Sequence, residues 1–403
     1  MRAWDNREVG AAAKAVRGSY RPAPVLLPLV LFSLGHFCVD VYSGVLGALQ
    51  PLLVKKFGIS LAQAGMLGGA LVFSSSMMQP AYGYLSDRLR SRMFAALGPG
   101  VAGVFISMLG LAPGYSWLFA MVILGGAGVA AFHPQASSLA VANVESNRGR
   151  AMAMFISAGT LGFASGPIFF SLLAGRFGLE GTWPGALPGV LVTVLLLTLL
   201  PAPAPHASGR QGFDWHPLRK FWKPITLLYT LVFLRSAVQV VFGQFIPLYL
   251  TIHRGYSNTV ASLGLSVYVT AGAIGGLLGG HLADRFGGKL VIAVSMIGSV
   301  PLLLLFFLTR GPLSLVALAA GGLVLLFTIP VNVVMAQDLV PSQAGTVSAL
   351  MMGFAWGSAG LIFIPLTGWM SDLFSIHYAL MALLAFPLAG FGISLLLPGH
   401  ARR

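Results

Sequence analysis

Long apolar stretches separated by short polar turns run through the whole chain, and this pattern restricts its fold more than any other feature. Each stretch is close to or above the length of about 20 residues that crosses a bilayer as a helix. The stretches are apolar on all sides, whereas membrane β-strands alternate in polarity. Only 8% of the 403 residues are charged, against about a quarter in soluble domains. The twelve stretches are residues 25–53, 60–86, 95–113, 115–140, 150–175, 184–200, 223–251, 258–283, 290–309, 312–336, 344–370 and 376–398. The sequence therefore predicts an all-α polytopic membrane protein with twelve transmembrane helices.

A charged decapeptide occurs twice, at the end of the second and of the eighth apolar stretch. The first copy is residues 83–92 (GYLSDRLRSR) and the second is residues 280–289 (GHLADRFGGK). Asp87 and Asp284 hold the same place in the two copies and lie about half a chain apart. This spacing indicates that the chain consists of two repeated halves, each with six helices.

The boundary between the halves is predicted at residues 201–222, which begin with the sequence PAPAP and continue as a polar, basic segment. Proline cannot continue a helix and favours an extended tether. We therefore expect an N-terminal segment at residues 1–24, a six-helix bundle at 25–200, a linker at 201–222 and a second six-helix bundle at 223–403.

The net charge of +14 is explained by membrane topology. Most of the Lys and Arg residues lie in the termini, the central linker and the loops that share a side with the two decapeptides. Because cytoplasmic loops carry the excess of Lys and Arg, this distribution predicts that both termini are cytoplasmic. We therefore do not expect a nucleic-acid partner.

The decapeptide resembles the loop signature of the major facilitator superfamily, Gly-x-Leu-Ala-Asp-Arg-x-Gly-Arg-Lys. The second copy matches this signature at seven positions: Gly280, Leu282, Ala283, Asp284, Arg285, Gly287 and Lys289. The resemblance implies two pseudo-symmetric six-helix bundles around a central cavity, with transport by alternating access.

The same resemblance predicts a gate at the cytoplasmic ends of the helices. Asp87 would lie near the N-terminus of helix 11, where the positive end of the helix dipole attracts a carboxylate, and Asp284 would do the same at helix 5. Breaking these contacts would open the protein inward. The predicted gating residues are Gly83, Asp87, Arg88, Arg92, Gly280, Asp284, Arg285 and Lys289.

Among the ten acidic residues, Asp40 is the one that falls within a predicted span. Ionisable residues inside a bilayer are costly and usually serve a function. His36 lies one helical turn before Asp40 on the same face, and His133 follows Phe132 and precedes Pro134 in the fourth helix. Because histidine titrates near neutral pH, Asp40, His36 and His133 are predicted to carry protons. The alternative is structural: the pair His36–Asp40 would tie helix 1 to a neighbour, and His133 would bond a backbone carbonyl beside the proline kink.

Arg235 is the one Lys or Arg residue in the interior of a predicted span, and Gln239 follows one turn later. A guanidinium group binds phosphate, phosphonate or carboxylate through two parallel hydrogen bonds. By symmetry with helix 1, Arg235 is expected to face Asp40 and His36 across the cavity. It would then bind an anionic substrate or serve as the permanent counter-charge of Asp40. The predicted substrate-binding residues are Arg235, Gln239, Gln244, Phe132 and Gln135.

A narrower resemblance is carried by His36-Phe37-x-x-Asp40 and by Phe132-His133-Pro134. Both are similar to the fosmidomycin resistance protein branch of the superfamily. The members of this branch are proton-driven exporters in the inner membrane that remove a small phosphonate antibiotic and other compounds. The resemblance implies proton or substrate roles for Asp40, His36 and His133. Helix 5 partly resembles the superfamily's antiporter signature at Gly162, Gly166 and Pro167, with plain close packing as the alternative.

These observations predict a monomeric secondary transporter that exchanges protons for a small, drug-like and anionic compound. We expect no enzymatic activity, no cofactor and no resident metal. A first rival is an importer or uniporter of a metal ion or metabolite that uses His36, Asp40 and His133 as ligands. A second rival is an intramembrane enzyme or receptor.

Overall fold

The computed structural model describes residues 26–89, 91–142, 144, 148–200 and 219–397. Within these ranges, eleven helices are long and apolar enough to cross a membrane, and a shorter apolar helix accompanies them. We number them α1 to α12 in chain order. Their bounds are Leu27–Phe57, Leu61–Ser86, Met93–Ser107, Tyr115–Ala140, Arg150–Phe177, Glu180–Leu199, Trp222–His253, Asn258–Phe286, Gly288–Leu308, Gly311–Leu339, Thr346–Leu373 and Ile376–Ser394.

All twelve helices correspond to the apolar stretches of the sequence. The described ranges contain no strand, which confirms the predicted all-α class. The largest difference is at α3, which ends at Ser107 and not at residue 113. In addition, α6 begins earlier than predicted, as 3-10 helix at Glu180–Ala186. The predicted N-terminal segment and most of the predicted linker lie outside the described residues, so the proposed division at 201–222 stays a prediction.

The same pairs of helices pack together in the two halves of the molecule. In α1–α6 the first helix packs on the fifth, and the third helix packs on both the fourth and the sixth. In α7–α12 the corresponding pairs make the corresponding contacts. The structure is therefore two pseudo-symmetric six-helix bundles, as the repeated decapeptide predicts.

The two halves meet chiefly through α1 with α7, α2 with α11, and α5 with α8, and α1 also contacts α8. We call the face that carries residues 83–92 and 280–289 the signature face, and the other the opposite face. The closest approaches lie toward the opposite face, where a Cβ on Gly47 would come within 2.2 Å of the Gly243 carbonyl oxygen. Toward the signature face, Tyr84, Leu85 and Leu89 near the end of α2 are exposed. The halves are therefore closed together at the opposite face.

Equivalent basic residues of the two signature loops make equivalent contacts inside their own halves. Arg92 donates from Nη2 to the carbonyl oxygen of Leu197 (3.0 Å) near the end of α6. Lys289 donates from Nζ to the carbonyl oxygens of Leu395 (2.7 Å) and Leu397 (2.6 Å) just beyond α12. Cations at these positions satisfy free carbonyls and suit the negative end of the helix dipole. The loops thus attach the third helix of each half to the sixth.

Among the described side chains of the other predicted gating residues, none makes a hydrogen bond or ion pair between the halves. Gly83 lies against Pro134 of α4, and Gly280 lies at the equivalent position against Pro330 of α10. Asp284 and Arg285 are exposed, and no ion pair joins either of them to another described residue. Arg88 is also exposed, and the side chain of Asp87 lies outside the described part of the chain. The gating role of these residues stays a prediction.

Candidate functional site

Three glycines on α5 bring the backbone of that helix against α1. A Cβ on Gly162 would lie 2.1 Å from the carbonyl oxygen of Phe37, and one on Gly166 would lie 2.3 Å from that of Val41. Small residues permit this close approach of membrane helices. The partial antiporter signature therefore holds α1 and α5 in direct backbone contact, as the packing alternative proposed.

Gly159, the third of these glycines, leaves the space that the His36 ring occupies. A Cβ on Gly159 would come within 2.4 Å of His36 Nε2. The ring stacks on Phe155 with a centroid distance of 4.2 Å, and Nδ1 lies 2.8 Å from the carbonyl oxygen of the same residue. His36 is thus held by α5 on one side, and its Nε2 is directed away from that carbonyl.

His133 is held in a similar way by its own helix. Its Nδ1 lies 2.8 Å from the carbonyl oxygen of Val129, one turn earlier in α4. Its ring meets that of His36 edge to face, with a centroid distance of 5.0 Å. The sequence offered a carbonyl-bonded histidine as the structural alternative, and the structure contains this bond together with a further contact from Nε2.

Asp40 lies between the two histidines. Its Oδ2 is 3.3 Å from His36 Nε2, and its Oδ1 is 3.4 Å from His133 Nε2. We refer to His36, Asp40 and His133 as the triad. The structure therefore brings together the three residues predicted to carry protons.

The hydrogen bonds fix which nitrogen of each histidine is available for exchange. A carbonyl oxygen only accepts, so Nδ1 carries the hydrogen in both His36 and His133. Each neutral ring then directs the Nε2 lone pair at the Asp40 carboxylate, which also only accepts. When the triad takes up two protons, one between His36 Nε2 and Asp40 and one between His133 Nε2 and Asp40, both contacts become hydrogen bonds. The triad is therefore a compact group that gains favourable contacts as it takes up protons.

Arg235 is buried in the other half of the molecule, with 4% of its surface exposed. Its Nη1 donates to Gln239 Oε1 and its Nη2 donates to Ser236 Oγ at 2.9 Å. Nε has no hydrogen-bond partner among the described residues. Both partners are neutral, although a buried charge is normally paired with an opposite one. The guanidinium group therefore retains capacity to bind an anion.

A cavity of about 220 Å³ lies beside Arg235. The lining comes from α7, α10 and α11 and is mostly apolar, with Arg235 and Gln239 as its charged and amide groups. The lining residues are Val232, Arg235, Gln239, Ile329, Val333, Met351, Met352 and Trp356. An apolar pocket with a few polar groups that fix orientation is typical of a small-molecule site.

The predicted pairing of Arg235 with Asp40 does not occur in this structure. Asp40 contacts the two histidines of its own half, and no ion pair joins Arg235 to a carboxylate within the described ranges. The counter-charge interpretation is therefore wrong for this conformation. The two halves carry separate charged sites.

Three of the predicted substrate residues are engaged elsewhere. Gln244 accepts from Gln50 Nε2 at 3.3 Å in the contact between the halves. Gln135 accepts from the amide of Ala95 and donates to the carbonyl of Ser91, which ties α4 to the start of α3. Phe132 is fully buried. None of the three lines the cavity. Of the predicted substrate residues, Arg235 and Gln239 line it, and the binding roles of all five stay predictions.

Sequence comparison gives the same family as the fold. The profile of the Major Facilitator Superfamily matches residues 32–364. The chain belongs to the Major Facilitator Superfamily. It is accordingly a multi-pass membrane transporter, and it is not an enzyme.

Individual members of the superfamily are similar over almost the whole chain. An uncharacterized MFS-type transporter of Bacillus subtilis, YfnC, is 30% identical and covers 95% of both chains. The fosmidomycin resistance protein of Escherichia coli is 26% identical and covers 92% of both chains. Among solved structures, a bacterial homolog of the human lysosomal transporter Spinster, in an inward-facing and occupied conformation, superposes with a TM-score of 0.79. It is 16% identical, with 92% of this chain and 96% of that chain covered.

Within this superfamily fold, the parts of the site that sequence reasoning missed are those supplied by distant helices. Phe155 holds His36 across 119 residues of sequence, and no local pattern marks it. Met351, Met352 and Trp356 line the cavity from α11 and look like ordinary membrane-helix residues. Gly159 was visible as a small residue, but its role in making room for a ring requires the packing of α1 on α5.

Proposed function

We propose that this protein is a proton-coupled exporter of a small anionic compound, acting by alternating access in the bacterial cytoplasmic membrane. The observation that carries the proposal is the triad, in which two fixed imidazole lone pairs face one carboxylate inside a membrane bundle. Without added protons, the two Nε2 lone pairs and the carboxylate oxygens are all acceptors and cannot hydrogen-bond to one another. The arrangement therefore suits proton exchange better than a purely structural role.

The triad links proton uptake to the position of α1. Asp40 and His36 both lie on α1, and His133 lies on α4; His36 is hydrogen-bonded to a carbonyl of α5 and His133 to a carbonyl of its own helix. A proton shared by His133 and Asp40 strengthens the contact of α4 with α1, and loss of that proton weakens it. Because α1 also packs on α7 of the other half, a change in how α1 is held is transmitted to the helix that carries Arg235.

Arg235 and the cavity beside it support an anionic substrate. The buried guanidinium has neutral partners and a free Nε–H, and the remaining wall is apolar. A phosphonate or carboxylate with a small apolar body suits both features. The similarity to a fosmidomycin resistance protein supports the same class of substrate, and with it a role in drug efflux and antibiotic resistance.

The distribution of basic residues supports an orientation with both termini in the cytoplasm. The linker and the signature loops carry most of the loop Lys and Arg residues, as cytoplasmic segments do. The signature face is then cytoplasmic, and the halves are joined at the periplasmic face. The protein functions as a monomer, since each chain contains both the triad and the cavity.

Proton movement driven by substrate tests this proposal in liposomes that contain a pH-sensitive dye. Adding fosmidomycin to one side is expected to move protons the opposite way through the wild-type protein. Asp40→Asn is expected to reduce this movement to that of liposomes without protein, while fosmidomycin binding is retained because Arg235 lies in the other half. Glu180→Gln, which changes an exposed acid on the opposite face, is the matched control. Unchanged proton movement in Asp40→Asn contradicts the proposal, and metal or metabolite uptake without proton movement supports the rival importer.

A further inference from the structure

The triad has the donor set and the spacing of a transition-metal site. It offers two imidazole nitrogens and a carboxylate, whose ligand atoms all lie within 4.8 Å of one another. His36 Nε2 lies 3.3 Å from Oδ2 of Asp40, and His133 Nε2 lies 3.4 Å from Oδ1 of the same carboxylate. A tetrahedral Zn²⁺ ion with bonds of about 2.0–2.1 Å requires ligand atoms about 3.3–3.4 Å apart. A small rotation of the Asp40 carboxylate, together with a small approach of the two Nε2 atoms, would therefore complete the coordination.

The groups around the triad also match those that support metal ligands. In protein metal sites, a coordinating histidine almost always donates its other ring N–H to a carbonyl or carboxylate, which fixes the ring and its lone pair. Both histidines of the triad do this, at 2.8 Å, to the carbonyl oxygens of Phe155 and Val129. The two lone pairs therefore already point inward.

The site is enclosed but remains accessible. The side chains of His36, Asp40 and His133 are 10%, 18% and 21% exposed, so a fourth coordination position can be filled by water. Three protein ligands and one open position form a common zinc arrangement. Nitrogen donors favour Zn²⁺, Co²⁺ or Ni²⁺ over Mg²⁺ and Ca²⁺, which prefer oxygen.

We propose that Zn²⁺ or a similar divalent transition metal binds Nε2 of His36, Nε2 of His133 and the carboxylate of Asp40, and that it blocks transport when bound. The metal uses the same Nε2 lone pairs that take up protons, and it joins α1, which carries His36 and Asp40, rigidly to α4, which carries His133. The inhibition of transport by the metal rests on the proposed proton function, whereas the binding of the metal does not.

The second charged site explains why the metal acts as an inhibitor and not as cargo. The guanidinium group of Arg235 lies on the cavity wall of the other half without a carboxylate partner among the described residues. An uncompensated positive charge disfavours the passage of a divalent cation, while it favours an anion.

Metal titration of the purified full-length protein tests the binding. Co²⁺ is expected to bind with release of the protons that the triad holds and to give the intense visible absorption of a tetrahedral site, and Zn²⁺ is expected to displace the Co²⁺. Each of His36→Gln, Asp40→Asn and His133→Gln is expected to weaken Zn²⁺ binding by at least about 100-fold, above the 10- to 100-fold loss typical of supporting residues.

Two controls separate this site from other histidines. His281→Gln changes an exposed histidine on α8 and is expected to leave Zn²⁺ affinity unchanged. All titrations are made in a His253→Gln/His377→Gln background, because these two rings stack at 4.9 Å near the opposite face and offer another place for a metal. Thermal unfolding of each variant confirms that it is folded.

The outcomes distinguish the inference from the proposed function. Saturable binding of one Zn²⁺ that needs all three residues and stops substrate-driven proton movement supports the inference. Absent binding, equal affinity in the triad variants, or undiminished transport with Zn²⁺ bound overturns it. If substrate moves no protons even without metal, the proposed function fails, and binding that depends on the triad is still measured by the Co²⁺ spectrum.

Discussion

Asp372, at the end of α11, caps the backbone amide of Leu61 at the start of α2. Its Oδ1 accepts from Leu61 at 2.9 Å, and its Oδ2 accepts from Ala62 at 2.8 Å. The two helices belong to different halves, so this carboxylate joins the halves at the opposite face. It satisfies free amides at a helix N-terminus and interacts favourably with the helix dipole.

Replacing Asp372 is expected to open the opposite face. The loss of a helix cap costs about 0.5–2 kcal/mol, which corresponds to a shift of about 2- to 30-fold toward the open form. Asp372→Ala should therefore increase water access between the halves. The measurement is the rate of thiol labelling at Gln50→Cys, in a protein whose single native cysteine is removed by Cys38→Ser.

Asp338→Asn, at the end of α10 near the signature face, is the matched control and should leave the labelling rate unchanged. Equal labelling of Asp372→Ala and the parent would show that the cap does not hold the halves together.

Substitution of Arg235 is expected to separate the role of charge from that of geometry. Arg235→Lys retains the positive charge but loses the paired donors of the guanidinium group, so fosmidomycin binding should weaken by about 10- to 100-fold, the value of one charge-assisted hydrogen bond. Arg235→Gln should abolish measurable binding. The measurement is calorimetric titration of the purified protein.

Arg176→Gln, which removes an exposed arginine at the end of α5, serves as the control and should bind like the wild type. Full affinity in Arg235→Gln would remove Arg235 from the binding site.

The glycines of α5 provide a matched pair of substitutions. Gly159→Ala places a Cβ against the ring of His36, whereas Gly162→Ala places one against the backbone of Phe37. A ring can turn aside and a backbone cannot. Gly162→Ala should therefore lower stability by about 1–3 kcal/mol through overpacking.

Gly159→Ala should lower the melting temperature less but abolish substrate-driven proton movement, because it displaces His36 from Asp40. The two measurements are thermal unfolding and dye-detected proton movement. Normal proton movement in Gly159→Ala would mean that the His36–Asp40 contact is dispensable.

The elements that follow from local sequence pattern were predictable, and those that depend on packing were not. Helix spacing places His36 and Asp40 on one face, and the repeated decapeptide predicts two equivalent halves. The contact of His133 with Asp40 depends on how α4 crosses α1, and the carbonyl that holds His36 comes from α5. Neither crossing can be read from one helix alone.

The contact that Asp372 makes between the halves was likewise not predictable from local sequence. The sequence predicts contacts between an acid and a helix N-terminus at Asp87 and Asp284, on the signature face, and these two contacts stay predictions. The structure contains this kind of contact at Asp372, on the opposite face. The physical principle was available from sequence, but the choice of face depends on which end of the two bundles is closed.

The attachment of the third helix to the sixth by Arg92, and by Lys289 in the other half, affects how this transporter can move. In each bundle these hydrogen bonds hold the third and sixth helices together at the signature face. Bending within a bundle would therefore have to break them. Motion is then concentrated where the bundles slide past each other, and each bundle behaves as a stiff lever. A displacement of α1 at the triad is for this reason transmitted to the far end of α1, because the bundle does not deform in between.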